Sequence, residues 1–189
     1  MGNCVRFNQI VGNYNYFYTF KIKKDVLSIL GVHTCKVDSK GRLMFPAKLR
    51  KELEAVLHEG LVLNRDIFEK CLVLYPKDEW DRVVKELKRL SRYKKKHQKF
   101  MRSFLMNATK IELDGAGRFL IPSLLLELAE IDPKKKSNEV VVSGMDSKIE
   151  IWSAAKYKDL MSDENDELSD LAEDIGKDIE GFEGLVGLN

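Results

Sequence analysis

Apolar positions in this chain fall into short runs that stop at proline and are followed by three- and four-residue spacing. Leu43-Met44-Phe45 stops at Pro46, after which Leu49, Leu53 and Val56 predict a helix over 47–57, reaching about His58. Phe119-Leu120-Ile121 stops at Pro122, and Leu124, Leu125 and Leu128 predict a second helix over 123–131. Proline ends each strand by removing a ladder donor, and it suits the first turn of a helix. His33 to Val37 forms an entry strand. Leu61 to Asn64 and Cys71 to Tyr75 are β-rich runs with Arg65 to Lys70 between them, a predicted hairpin. After Pro76 a longer helix begins, with Asp78, Glu79 and Asp81 at its positive end and Trp80, Val83, Val84, Leu87 and Leu90 on one face. Farther on, 139–144 and 148–152 predict strands separated from the second helix by the loop 133–138. In the tail, Leu168, Leu171, Ile175 and Ile179 allow an amphipathic helix, with a disordered Gly-rich end beyond Gly181.

The strongest feature is a duplication. Val37 to Pro46 is echoed by Leu113 to Pro122, and Asp38, Gly41, Arg42, Pro46 and Leu49 map onto Asp114, Gly117, Arg118, Pro122 and Leu125 with a constant offset of 76 residues. Asp38 and Asp114 can accept hydrogen bonds from backbone N–H groups just downstream, which favours a turn. Gly41 and Gly117 allow positive φ without a Cβ penalty. The unit reads strand, tight turn, strand, short helix, with the arginine at the tip or shoulder of a hairpin. That geometry does not require arginine. One reading is a solvated or ion-paired turn residue. The other follows from its recurrence at both turns: a planar guanidinium suits guanine O6 and N7 or a phosphate. Tyr75 and Trp152, and likewise Trp80 and Tyr157, occupy matching places and are read as aromatic anchors beneath each hairpin.

The paired Asp-x-x-Gly-Arg-x-x-x-Pro motif resembles the MraZ family of bacterial transcriptional regulators. Further matches are Cys71-Leu72-Val73-Leu74-Tyr75-Pro76 with Glu79-Trp80, and Ile149-Glu150-Ile151-Trp152, so the resemblance covers about residues 31 to 175. It implies an α+β, β-rich fold of two tandem AbrB-like swapped-hairpin repeats, double-psi-type half-barrels related by a pseudo-two-fold. It also implies ring assembly and binding to short direct repeats upstream of the division and cell-wall gene cluster.

Charge sharpens this picture. The net charge of +2 hides twenty Lys/Arg against ten Asp/Glu from Lys36 to Lys110, and eleven acids against Lys177 alone from Asp159 onward. Six Lys/Arg lie within Arg92 to Arg102, interleaved with Tyr93 and Phe100. A solvated face, a phosphate-facing surface and a contact with a neighbouring subunit's acidic tail all fit this run. Cys4, Cys35 and Cys71 form no C-x-x-C pair and have no histidine at ligand spacing, so neither a metal site nor a disulfide framework is indicated. His33, His58 and His97 lie in three different elements, and no P-loop or Gly-x-Ser-x-Gly is present. No catalytic residues, cofactor or small-molecule substrate are therefore assigned.

Five segments are expected: residues 1–30 as an extension outside the repeats, 31–80 as the first repeat, 81–107 as a basic linker helix, 108–158 as the second repeat, and 159–189 as an acidic tail. The extension is read either as a disordered addition or as a start placed too far upstream, with initiation near Val26 to Leu30. It shows no membrane span and no export signal. The function expected is a sequence-specific DNA-binding regulator, with double-stranded DNA and copies of itself as partners, in the cytoplasm at the nucleoid. Arg42 and Arg118 would read bases, and Lys40 and Lys36 would touch the backbone. Asp38, Gly41, Asp114 and Gly117 would shape the turns. The second repeat has Glu112 and Ala116 in place of the two lysines, so Arg42 is the stronger candidate. The alternative is a ring-forming adaptor with non-specific nucleic-acid affinity. An antitoxin-like role, which AbrB-type hairpins also serve, fits the duplication less well.

Overall fold

The computed structural model describes residues 4–11, 14–21, 28–135 and 138–163, the first two spans by backbone alone. The tail from residue 164, with its expected helix, lies outside the described residues, as do residues 22–27, which include part of the expected start near Val26 to Leu30, and Lys136 and Ser137 of the 133–138 loop. Within the extension, Cys4–Val11 (β1) and Tyr14–Lys21 (β2) form an antiparallel pair of their own. The first repeat begins at Ile29, which is fully buried.

That repeat contains β3 (Ile29–Lys36), β4 (Arg42–Met44), α1 (Ala47–Glu52), α2 (Glu54–Leu57), β5 (Leu61–Arg65) and β6 (Leu72–Pro76), followed by α3 (Lys77–Leu87) and α4 (Lys95–Leu105). The second contains β7 (Thr109–Ile111), β8 (Arg118–Leu120), α5 (Ser123–Leu128), β9 (Glu139–Asp146), β10 (Lys148–Ser153) and α6 (Ala154–Asp163). Six strands form one sheet in the order β3-β9-β10-β6-β5-β7, and β4 pairs separately with β8. Exchanging the repeats turns this order into itself. Three joins in the large sheet cross between repeats: β3 to β9, β10 to β6, and β7 to β5. The fold is thus α+β and strand-rich, and its halves interlock.

The interlocking changes how the predicted hairpin is built. Between the strands flanking the Asp38–Arg42 turn only one bridge remains, Val37 opposite Leu43. The ladder partner of β4 lies in the other repeat: Arg42 faces Leu120, Leu43 faces Phe119, and Met44 faces Arg118. Two further bonds extend this ribbon, from Phe45 N–H to Gly117 O at 3.0 Å and from Ile121 N–H to Gly41 O at 2.9 Å.

Packing follows from strand alternation. Leu61, Leu63, Leu72, Leu74, Val142, Ile149 and Ile151 point into one core shared by both repeats, joined there by Leu43, Phe45, Phe119 and Ile121. A chain of this size divided into two separate cores would bury much less of its apolar surface. On the sheet's other face, Val62 meets Trp80 of α3 and Phe104 of α4, whereas Val141 and Cys71 meet Trp152 and the residues of α6. The matched aromatic anchors are present at both places. Tyr75 and Trp80 have ring centres 5.7 Å apart, and Trp152 and Tyr157 6.4 Å.

Three helical expectations are refined. The 47–57 helix breaks at Leu53, whose ψ of −4° departs from α geometry, and Val56 N–H bonds to Leu53 O. This break still turns Leu49, Leu53 and Val56 inward. The segment read as one linker helix is two helices, because Phe104 folds back to stack on Trp80 at 5.7 Å; Ser91 N–H donates to His97 Nδ1 across the bend at 3.0 Å. Helix α5 stops at Leu128, with Glu130 at φ 54° and Ile131 N–H returning to Leu126 O, a Schellman closure in which glutamate takes the left-handed position.

Candidate nucleic-acid interface

Each repeated turn is closed by its own aspartate. Asp38 Oδ1 accepts the N–H groups of Lys40 and Arg42, both at 2.9 Å, and Asp38 Oδ2 accepts Arg42 Nε at 2.7 Å. Gly41 N–H donates to Asp38 O at 2.8 Å, at a glycine φ of 81°. In the second copy Asp114 Oδ1 accepts Ala116 and Arg118 N–H at 2.9 Å, Oδ2 accepts Arg118 Nε at 2.9 Å, and Gly117 has φ 78°. Arg118 Nη2 also lies 2.8 Å from Asp114 Oδ2. Bonds from the arginine backbone N–H and side chain, with a smaller contribution from the residue two before it, hold both carboxyls below the ordinary aspartate range. The arginine is ion-paired, as one reading of the sequence allowed. The pairing also directs it, because tying Nε to a carboxylate inside the turn limits the directions the remaining guanidinium edge can face.

Pairing of β4 with β8 brings the two arginines together. In both three-residue strands the outer positions face out and the middle one is buried, so Leu43 and Phe119 lie in the core. The outward face carries Arg42, Met44, Arg118 and Leu120, with Met44 49% and Leu120 58% exposed. Two cations and two apolar side chains therefore share one narrow ribbon. The sequence signal for Met44 and Leu120 was strand alternation within a run read simply as apolar. Lys40 is exposed in the first turn, near Arg42 in the chain. Lys36 is set apart at the sheet edge, opposite its register partner Glu139, with Nζ 3.5 Å from Glu139 Oε1.

Sequence reasoning gave no site role to Arg50. A Cβ added to Gly117 would collide with Arg50 Nη1 and lie 3.3 Å from its Cζ. The α1 side chain of the first repeat thus lies over the turn of the second. Residue 126, one repeat length later, is a leucine, and Leu126 Cδ1 is 3.2 Å from the equivalent point on Gly41.

Elsewhere on the surface, Arg92, Lys94, Lys95, Lys96, Lys99 and Arg102 are exposed, Tyr93 almost completely so, while Phe100 stacks on Phe104. Burial raises the thiols of Cys35 and Cys71 above their ordinary value, away from nucleophilic character. Among the described residues no group of three or more His, Cys, Asp or Glu is placed to hold a metal ion. None of the described helices is long and apolar enough to cross a membrane.

A family model described as "MraZ protein, putative antitoxin-like" matches the chain twice, over residues 29–103 and 104–177. The chain belongs to the MraZ family. The matched halves meet at residues 103 and 104, in the last turn of α4, so the family's own repeat includes the helices that follow each second hairpin. Among similar proteins, the transcriptional regulator MraZ of Christiangramia forsetii is 38% identical over 161 residues, covering 85% of this chain and 99% of its own. That of Flavobacterium psychrophilum is 40% identical, covering 78% and 91%, and that of a Marinomonas species 34%, covering 79% and 97%.

Proposed function

We propose that this MraZ-family chain is a sequence-specific DNA-binding transcriptional regulator that reads the major groove with the β4–β8 ribbon. The observation that carries this reading is the in-register pairing of β4 with β8, which puts two aspartate-held arginines on one exposed face. A two-stranded ribbon fits the major groove, and arginine is the commonest reader of guanine there. Met44 and Leu120 add apolar contacts suited to thymine methyl groups. Lys40 contributes a phosphate contact beside Arg42, and Lys36 a weaker one because Glu139 competes for it. Relatives named transcriptional regulators support the class of function.

The finer parts of the proposal are closed-ring assembly and recognition of direct repeats upstream of the division and cell-wall gene cluster, in the cytoplasm at the nucleoid. Ring assembly draws support from Leu30, Val32 and Met145, exposed apolar residues along β3 and its neighbour β9 at the sheet edge. Adjacent subunits would then grip successive repeats with an avidity gain.

Fluorescence anisotropy of the purified full chain tests the reading, with its own upstream DNA and a scrambled duplex compared across a salt series. Tight, salt-steep binding to the upstream duplex is expected, with discrimination lost in Arg42→Ala. Equal, weak binding of wild type to both duplexes would sink it. Light scattering after size exclusion tests the ring, which a monomeric mass at micromolar concentration would exclude.

A further inference from the structure

The two turns are served by different cations. Lys40 accompanies Arg42 in the first turn, whereas Ala116 occupies that position in the second. There the additional charge arrives from the other repeat, as the Arg50 guanidinium lying over Gly117, next in the chain to Arg118. Arg50 is exposed and, among the described residues, its side chain has no hydrogen-bond or ion-pair partner. The local carboxylate, Asp114, is already taken by Arg118. A guanidinium that lies against a turn without bonding to it is poised for an external anion.

We infer that Arg50 is a phosphate-binding residue of the second reading turn, contacting the DNA backbone beside the base step that Arg118 reads. This inference rests on the proposed DNA-reading function and deepens it. Counting Asp, Arg and the additional cation, each turn then presents one net positive charge: Asp38, Arg42 and Lys40 in one, Asp114, Arg118 and Arg50 in the other. The second turn has alanine where the first has Lys40 and takes its additional cation from α1, which reaches across the interlock. Leucine at position 126 prevents the reciprocal arrangement at the first turn, where Lys40 already serves.

The test uses the full chain and the same two duplexes, with Arg50→Ala and Arg50→Lys. Arg50→Ala is expected to weaken binding to both duplexes by a similar several-fold factor. It should also reduce the slope of log affinity against log salt by about one. Arg50→Lys keeps the charge and should retain the wild-type slope. Arg50 is exposed on α1, so both variants should keep the wild-type near-ultraviolet circular dichroism. If wild type discriminates between the duplexes and Arg50→Ala leaves both affinity and slope unchanged, the inference fails while the DNA-reading function stands. Loss of discrimination with an unchanged slope would make Arg50 a base reader and overturn the phosphate assignment. Failure of wild type to discriminate removes the proposed function and the inference together.

Discussion

The Asp38–Arg42 and Asp114–Arg118 turns share five hydrogen bonds and nearly equal glycine φ values, yet their surroundings differ at every basic position. Lys36 corresponds to Glu112, Lys40 to Ala116, and Arg50 to Leu126. The turn geometry depends on Asp, Gly and Arg within five residues, so a duplicated copy retains it as a unit. The charge around the turn depends on side chains from several elements, and these have diverged separately. A motif match therefore predicts the shape of both turns better than it predicts their affinities.

The largest test of this contrast compares Arg42→Ala with Arg118→Ala on the cognate and scrambled duplexes. Each should lose base discrimination, with roughly 1–3 kcal/mol expected for one bidentate contact. The first should lie at the upper end, since Lys40 sits within its own turn whereas the second turn's additional cation, Arg50, reaches it from α1 of the other repeat. Equal losses, or a larger loss at Arg118, would break the proposed ranking.

Stability should separate the glycines next. Alanine at either position is forced into left-handed backbone geometry, at roughly 1–2 kcal/mol. At Gly41 the new methyl would also press on Ile121 O at 3.3 Å and Leu126 Cδ1 at 3.2 Å, inside packed structure. At Gly117 it meets the movable end of Arg50. Chemical denaturation should show the greater midpoint loss for Gly41→Ala. Gly117→Ala should in addition reproduce the lowered salt slope of Arg50→Ala, because it displaces that side chain.

The smallest effect is on pH dependence. The folded pKa of each turn aspartate lies below the ordinary 3.8, set first by the hydrogen bond from the arginine backbone N–H. Each contributes stability that is full above the unfolded value and lost as pH falls through the lower folded value. Carboxyl chemical shifts followed by NMR should show both aspartates titrating with midpoints below the ordinary 3.8. An ordinary midpoint for either would mean that its turn is open in solution. Asp38→Asn should flatten the acid limb of the stability curve.

The turns were legible in the sequence because each residue's role is local: a short acceptor side chain, a glycine and a terminating proline. Their ladder partners were not, since Arg42 opposite Leu120 joins positions 78 apart and nothing in either stretch specifies the other's register. The same distance hid Arg50, which reads as one more exposed cation on α1 until the second repeat is folded beneath it. The break between α3 and α4 was hidden for a related reason. Periodicity carried the apolar face on to Leu90, three residues past the end of α3, whereas the fold-back is set by Phe104 reaching Trp80.

The alternation of repeats through the sheet also places a demand on synthesis. While the first repeat leaves the ribosome, β3 has no β9, β4 no β8, and β6 no β10, so among the described residues its own strand pairing is limited to the β5–β6 ladder and the Val37–Leu43 bridge. At about 5–20 residues per second, the 76-residue offset leaves that half waiting roughly 4–15 s for its counterpart. Through that interval, apolar residues destined for the shared core, such as Leu43, Phe45, Leu72 and Leu74, face cytosol or chaperone. A nascent chain cut before β8 leaves β3 and β4 without their ladder partners, prone to pair with a second truncated copy.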